Sequence, residues 1–213
     1  MVADPLKALF HPFETGVLPV PQAGQRVLFI NGRVAPPLSA WPQKNIIVQQ
    51  YFKPWADETA RGGLKTVPEI PAGPFDIVLA LAPRQHDEAL HVMAAALSAL
   101  KTDGTLICAA ANTEGGKRLK KDAKYLGFSC AEESKHKSRV IWGVKHTIDE
   151  AHCAEATAIG GDRKVCGGRF VSRPGVFSWD RVDTGSALLA NSLPAGALAG
   201  TDRGFAERDA GFL

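Results

Sequence analysis

The chain has 213 residues, 45% hydrophobic and 22% charged, a balance that supplies a core and excludes disorder and fibrous repeats. That length exceeds one average domain and falls short of two, so one complete unit plus a smaller one is expected. Nearly uncharged apolar stretches such as 89–100 are about a dozen residues, far below the roughly 20 of a bilayer span, and a net charge of +3 is too mild to name a partner.

In chain order, residues 1–13 carry Asp4, Pro5 and Lys7 early and have no apolar run, so no secretory signal is expected. Arg26–Ile30 and Asn45–Gln49 are short β-branched runs with the character of buried strands, separated by a turn-rich stretch. Phe75–Leu81 is a continuous apolar run between prolines, as a parallel strand covered on both faces requires. From Asp87 to Leu100, apolar residues recur at helical spacing, and Thr102, Asp103 and Gly104 supply the stop. Thr105–Ala110 then reads as a strand and Thr113–Leu126 as a helix closed by Gly127, with Arg139–Val144 a final strand. Alternating strands and helices predict a doubly wound α/β sheet. Residues 147–168 lose clean periodicity and read as a short helical or irregular linker. A second unit begins near Arg169, with a helix over 180–193 whose N-cap is Asp180 or Asp183.

Charge is uneven along this path. Between Thr113 and Lys145 nine Lys or Arg face four acids, a net +5 that leaves the rest of the chain at −2. Lys117, Arg118, Lys120, Lys121 and Lys124 project from the predicted helix and are candidate contacts to a phosphate backbone, although a lysine-rich helix face is more often only solvated surface. Trp41 and Trp55, flanked by prolines and polar residues, are the candidates for base stacking, whereas Trp142 reads as core.

Phe75–Leu81, the helix after it, Leu100-Lys101-Thr102-Asp103-Gly104-Thr105-Leu106-Ile107 and the closing helix and strand are similar to the second half of a class I S-adenosylmethionine-dependent methyltransferase fold, Rossmann-like in type. Arg169-Phe170-Val171-Ser172-Arg173-Pro174-Gly175-Val176-Phe177-Ser178, continued by Asp183-Thr184-Gly185-Ser186-Ala187-Leu188-Leu189, resembles the opening of the catalytic domain in RsmC-type small-subunit ribosomal RNA guanine-N2 methyltransferases. Members of that family carry two methyltransferase-like domains, the first without chemistry and the second binding cofactor and methylating. The resemblance implies a non-catalytic domain at 1–146, a linker at 147–168 and the truncated start of a catalytic domain at 169–213. It also implies a cytoplasmic, rRNA-binding protein whose complete homologue uses S-adenosylmethionine and no metal, with Pro174, Gly175, Phe177 and Ser178 on the substrate side of the catalytic unit.

Residue chemistry argues that the first unit is degenerate. The fold needs glycines after its first strand so that backbone can approach the cofactor. Here Asn31-Gly32-Arg33-Val34-Ala35-Pro36-Pro37 offers one glycine, an arginine and two prolines. The acid that holds the ribose hydroxyls at the end of the second strand is replaced by Gln49 and Gln50, neutral and weaker acceptors. An Asn-Pro-Pro-aromatic signature, which grips the amine of an extruded base, is replaced by Leu81-Ala82-Pro83-Arg84. In the second unit, Asp202-x-Gly204-x-Ala206 is only a faint echo of a cofactor loop.

Other chemistries find little support. Cys108, Cys130, Cys153 and Cys166 form no C-x-x-C pair, so reduced thiols are expected, and His152, Cys153 and Cys166 lack zinc-site spacing. His86 and His91, near Asp87 and Glu88, read as solvated helix flanks rather than an acid–base or metal pair. Ser178 and Ser186 lack the setting of a hydrolase elbow. The expectation is therefore an rRNA-binding, catalytically inactive unit with no cofactor, metal or catalytic residue of its own and a tendency to self-associate through the incomplete unit. The alternatives are a small cofactor-binding methyltransferase or a purely structural domain.

Overall fold

The computed structural model describes residues 2–193. Among the described residues, nine strands and six α-helices follow one another as α1 (Pro5–Glu14), β1 (Val27–Ile30), β2 (Ile46–Gln49), α2 (Lys53–Arg61), β3 (Lys65–Val67), β4 (Phe75–Leu81), α3 (His86–Ala99), β5 (Leu100–Ala111), α4 (Leu119–Tyr125), β6 (Ala131–Lys135), β7 (Ser138–Val144), α5 (Glu150–Gly160), β8 (Arg163–Val165), β9 (Phe170–Ser172) and α6 (Thr184–Ser192). The first seven strands form one sheet in the order β3-β2-β1-β4-β5-β7-β6, and β8 with β9 forms a separate hairpin. Strands β3, β2, β1, β4 and β5 run parallel, while β7 lies antiparallel to β5 and β6 antiparallel to β7. This is the doubly wound arrangement expected from the sequence.

Side chains alternate across the pleat, so each strand feeds two cores. Leu28, Ile30, Val78, Ala80, Leu106 and Cys108 pack against Met93 and Leu97 of α3, Leu119 and Ala123 of α4, and Cys153 and Ala156 of α5. Burial in that core pushes the Cys108 thiol up to about 12, with Cys130 and Asp122 adding to it. Val27, Phe29, Leu79 and Ile107 face the other way, onto Leu9, Phe10 and Phe13 of α1. Helix α1 was not expected. Asp4 caps it by accepting the Lys7 amide at 3.0 Å, and Pro5 occupies its first turn, where no N–H is needed.

Several expectations are revised. Trp41 is 6% exposed and packs edge-on to Phe10 and Phe13, with ring centroids 5.6 and 5.0 Å apart, so it is core and not a stacking residue. The long helix expected over 113–126 is a turn, a short 3-10 segment at Gly116–Arg118 and then the seven-residue α4. The linker segment contains α5, capped by Asp149 and packed on α3 through the small side chains of Cys153 and Ala156. The two helices touch at Gly160, where any side chain would strike His91 and the Asp87 carbonyl. Asp183, not Asp180, caps α6, accepting the Gly185 and Ser186 amides at 3.0 and 3.2 Å. None of the described residues of α6 is buried, and Leu188 and Leu189 face solvent. No helix among the described residues is long and apolar enough to cross a membrane.

Candidate functional site

In open α/β sheets, ligands bind beyond the carboxyl ends of the strands, at the point where the chain switches from one side of the sheet to the other. Here that point lies between β1 and β4. Asn31, the first residue beyond β1, adopts a left-handed conformation with φ 53°. Its backbone amide donates to Gln49 Oε1 at 3.1 Å, and its side-chain amide donates to the Leu81 carbonyl at 2.9 Å. The ends of β1, β2 and β4 are thereby tied together.

The two glutamines add further ties to backbone. Gln49 Nε2 donates to the Pro68 carbonyl at 2.8 Å, and Gln50 Nε2 donates to the Gly32 carbonyl at 2.9 Å. Gln50 Oε1 accepts the Phe52 amide at 3.0 Å. Every side-chain oxygen and nitrogen of this pair is thus satisfied by backbone, and the residues are only 5% and 3% exposed. Gly32 is required for a different reason from a cofactor glycine: an added Cβ would lie 2.6 Å from the Val48 side chain and 2.8 Å from the Phe29 ring. The room that glycine leaves is filled by the protein's own side chains.

Most of the exposed lysines gather at the same edge, with Lys124 farther along α4 toward the start of α5. Lys117, Lys120, Lys121 and Lys124 are exposed on the 3-10 turn and α4 that follow β5. The β6–β7 turn brings exposed Lys135 and Lys137 there too, since the Asn112 amide donates to the Lys137 carbonyl at 3.0 Å. Three of the nine cations are otherwise placed. Lys145 Nζ donates to the Leu97 and Leu100 carbonyls at 2.7 and 3.0 Å and closes α3, Arg139 pairs with Glu132 at 3.5 Å, and Arg118 is half-buried with its Nε enclosed. His86 and His91 act as tethers rather than solvated flanks. His86 Nε2 lies 3.2 Å from Asp122 of α4, and His91 Nδ1 lies 3.0 Å from the Thr157 carbonyl of α5. Among the described residues, no three His, Cys, Asp or Glu side chains converge as a metal site.

Residues 173–175 lie against Glu88 of α3 and Tyr51 after β2. Gly175 has φ 101°, and a Cβ there would overlap the Glu88 carboxylate at the start of α3. The Arg173 guanidinium sits 5.4 Å from the Tyr51 ring and 3.9 Å from the Asp162 carboxylate. Burial raises the Glu88 pKa above its ordinary value, opposed by the Arg173 charge and a hydrogen bond from the Tyr51 hydroxyl. Pro174 is buried, Gly175 is exposed with its open side toward Glu88, and Phe177 is 65% exposed. Ser178 lies in a tight turn, accepting the Arg181 amide at 3.1 Å on its carbonyl. Beside the 173–175 turn a cleft of about 490 Å³ opens between Asn31, Gln49, Tyr51, Glu88, His91 and Arg173, so it reaches the switch point itself. No sequence spacing links Glu88 and Tyr51 to the 173–175 turn. Asp202 and Gly204 lie outside the described residues.

The family model for the methyltransferase small domain matches residues 167–204. Among solved structures, the T. thermophilus 16S rRNA N2 G1207 methyltransferase RsmC, in complex with AdoMet and guanosine, is similar over 89% of this chain at 22% identity and a TM-score of 0.62. The chain spans 53% of that protein's length. A chain of the Haloferax volcanii complex between the Trm112 methyltransferase activator and a putative methyltransferase aligns with 66% of this chain and 92% of its own, at 11% identity and a TM-score of 0.53. The ribosomal protein L11 methylase of Lactobacillus delbrueckii subsp. bulgaricus aligns with 67% and 79%, at 13% identity and a TM-score of 0.50. No curated protein matches the chain in sequence. The strand order, the helices on both faces and these likenesses together show a class I methyltransferase fold of Rossmann-like type.

Proposed function

We propose that residues 1–146 form a catalytically degenerate, rRNA-binding unit of an S-adenosylmethionine-dependent rRNA guanine-N2 methyltransferase, that 147–168 join it to the next unit, and that 169–213 belong to the catalytic one. One observation carries this reading. At the switch point Gln49 and Gln50 spend their side-chain groups on backbone and Asn31 its side-chain amide, while exposed lysines follow β5 at the same end of the sheet.

The residues present do not fit S-adenosylmethionine in the first unit. Ribose hydroxyls need a strong acceptor at the end of β2, and here stand two neutral, almost fully buried amides whose oxygens each already accept one backbone amide. The methionine moiety needs bare backbone after β1, where Arg33 and two prolines stand instead. Cofactor binding and methyl transfer are assigned to the catalytic unit of the complete protein, with Pro174, Gly175, Phe177 and Ser178 near its substrate side and Asp202 and Gly204 at most marginal cofactor contacts. A protein of this kind acts in the cytoplasm. Docking of the 173–175 turn on Glu88 and Tyr51 adds a supporting role, and exposed Leu188 and Leu189 favour self-association of the isolated chain at high concentration.

The test is the salt dependence of binding to a small-subunit rRNA fragment. Neutralising about four phosphates gives a log–log slope near −3. Lys120→Glu with Lys121→Glu weakens binding and flattens that slope. A flat plot for the parent chain, or no change on charge reversal, overturns the RNA-binding assignment.

A further inference from the structure

The same edge of the sheet carries a second surface whose chemistry differs from that of the lysines. Directly after β2, Tyr51, Phe52 and Trp55 are 53%, 36% and 38% exposed. Large aromatic side chains normally supply core, and the neighbouring Trp41 does so. The three are not scattered. The Phe52 and Trp55 rings meet edge-on with centroids 5.0 Å apart, and the Arg33 guanidinium lies over the Trp55 ring at 4.4 Å. Arg173 stands by Tyr51 at 5.4 Å, at the mouth of the 490 Å³ cleft. The result is an exposed set of flat faces, aromatic and guanidinium, fixed by one another and by the start of α2.

We infer that this Tyr51–Phe52–Trp55 platform, with Arg33 and Arg173, stacks the unpaired bases of a single-stranded RNA segment whose backbone runs on to the lysines after β5. The inference rests on the RNA-binding reading above and adds the form of RNA recognised. Position supports it: Arg33 follows β1, the aromatics follow β2 and the lysines follow β5, so all three project from the carboxyl edge. Strands β2 and β5 are separated by β1 and β4, three strand spacings or roughly 14 Å. Charge supports it as well. Asp57 is paired with Lys53, and Arg33 presents a guanidinium group that can both stack and bind phosphate, while Arg173, shared with Asp162, adds a flat face beside Tyr51. Base faces stack on aromatic rings without regard to sequence. A duplex cannot offer them, because its bases already stack on each other.

The experiment compares a fluorescein-labelled single-stranded oligoadenylate with an RNA duplex of equal length, by fluorescence anisotropy, on the full chain and on Trp55→Ala, Trp55→Phe and the Lys120→Glu, Lys121→Glu pair. Thermal melts confirm that each variant folds. Trp55→Ala is expected to lose about tenfold in affinity for the single strand and little for the duplex. Its salt slope is unchanged, because no charge is removed, and Trp55→Phe recovers most of the loss. Parent-like binding by Trp55→Ala, or an equal loss on both probes, overturns the platform. If the lysine pair still weakens binding in that case, the RNA-binding reading survives without it. If neither set of variants matters, both fall.

Discussion

The Asn31 backbone amide donates to the Gln49 side-chain oxygen at 3.1 Å, tying the ends of β1 and β2 together on the wall of the 490 Å³ cleft. The bond depends on parallel pairing of β1 with β2, in which Ile30 lies opposite Gln49, and on the left-handed turn of Asn31. An acid in place of Gln49 could still accept from Asn31, but it could not donate to Pro68.

Gln49→Glu is therefore expected to destabilise the fold by about 1–3 kcal/mol, the usual cost of leaving buried polar groups mismatched. The Pro68 carbonyl loses its donor and a carboxylate is forced into a site built for an amide. Urea denaturation with an unchanged m-value measures the loss, and parent-like stability would show that the amide network is incidental.

Gly32→Ala adds a methyl group between Val48 and Phe29. Both neighbours are fully buried, so neither can swing aside into solvent. Overpacking of this kind costs about 1–3 kcal/mol, read as a lower melting temperature. A neutral outcome would mean that the β1 loop has room to spare.

Gly175→Ala is expected to loosen the dock between the 173–178 segment and α3. The φ of 101° disfavours any L side chain, and the new Cβ displaces the Glu88 carboxylate. Hydrogen exchange at the Val176 amide, bonded to the Arg173 carbonyl at 3.3 Å, should quicken severalfold. Adding Glu88→Ala relieves the overlap but not the backbone cost, so part of the protection returns. No recovery in the double variant would show that Glu88 is not the receiving group.

Glu88 also sets a pH dependence. Burial raises its pKa in the folded state, against the pull of Arg173 and the Tyr51 hydroxyl. A carboxyl raised in this way stabilises the fold fully below the ordinary glutamate value, and that contribution is lost as pH rises through the folded value. Glu88→Gln, which mimics the protonated group, should gain stability relative to the parent at pH 7.5, with the gap shrinking toward pH 4. A gap that does not change between those two pH values would contradict the assignment.

The central sheet was legible because β1, β2, β4, β5 and β7 are apolar runs bounded by glycine, proline or polar turns, and α3 shows plain helical spacing. Strands β3 and β6, Lys-Thr-Val and Ala-Glu-Glu-Ser-Lys, lie at the two edges of the sheet, where polar residues are tolerated and no alternation is imposed. Helix α5 was legible only as a short helical or irregular stretch, since Cys153, Ala156 and Gly160 pack closely without a hydrophobic stripe. At the site, the departures at 31–37 and at Gln49 and Gln50 were visible as wrong residue types. Their hydrogen bonds were not, because these depend on strand register. Trp41 and Trp55 both stand beside proline, and only the packing of α1 separates the buried one from the exposed one.

The most direct test of the account is calorimetric titration of the chain with S-adenosylmethionine. With Asn31, Gln49 and Gln50 committed to backbone, millimolar cofactor should give no saturable heat, while the same preparation binds rRNA with a steep salt slope. Saturable binding that is lost in Gln49→Ala would place a working cofactor site at this edge and contradict the account.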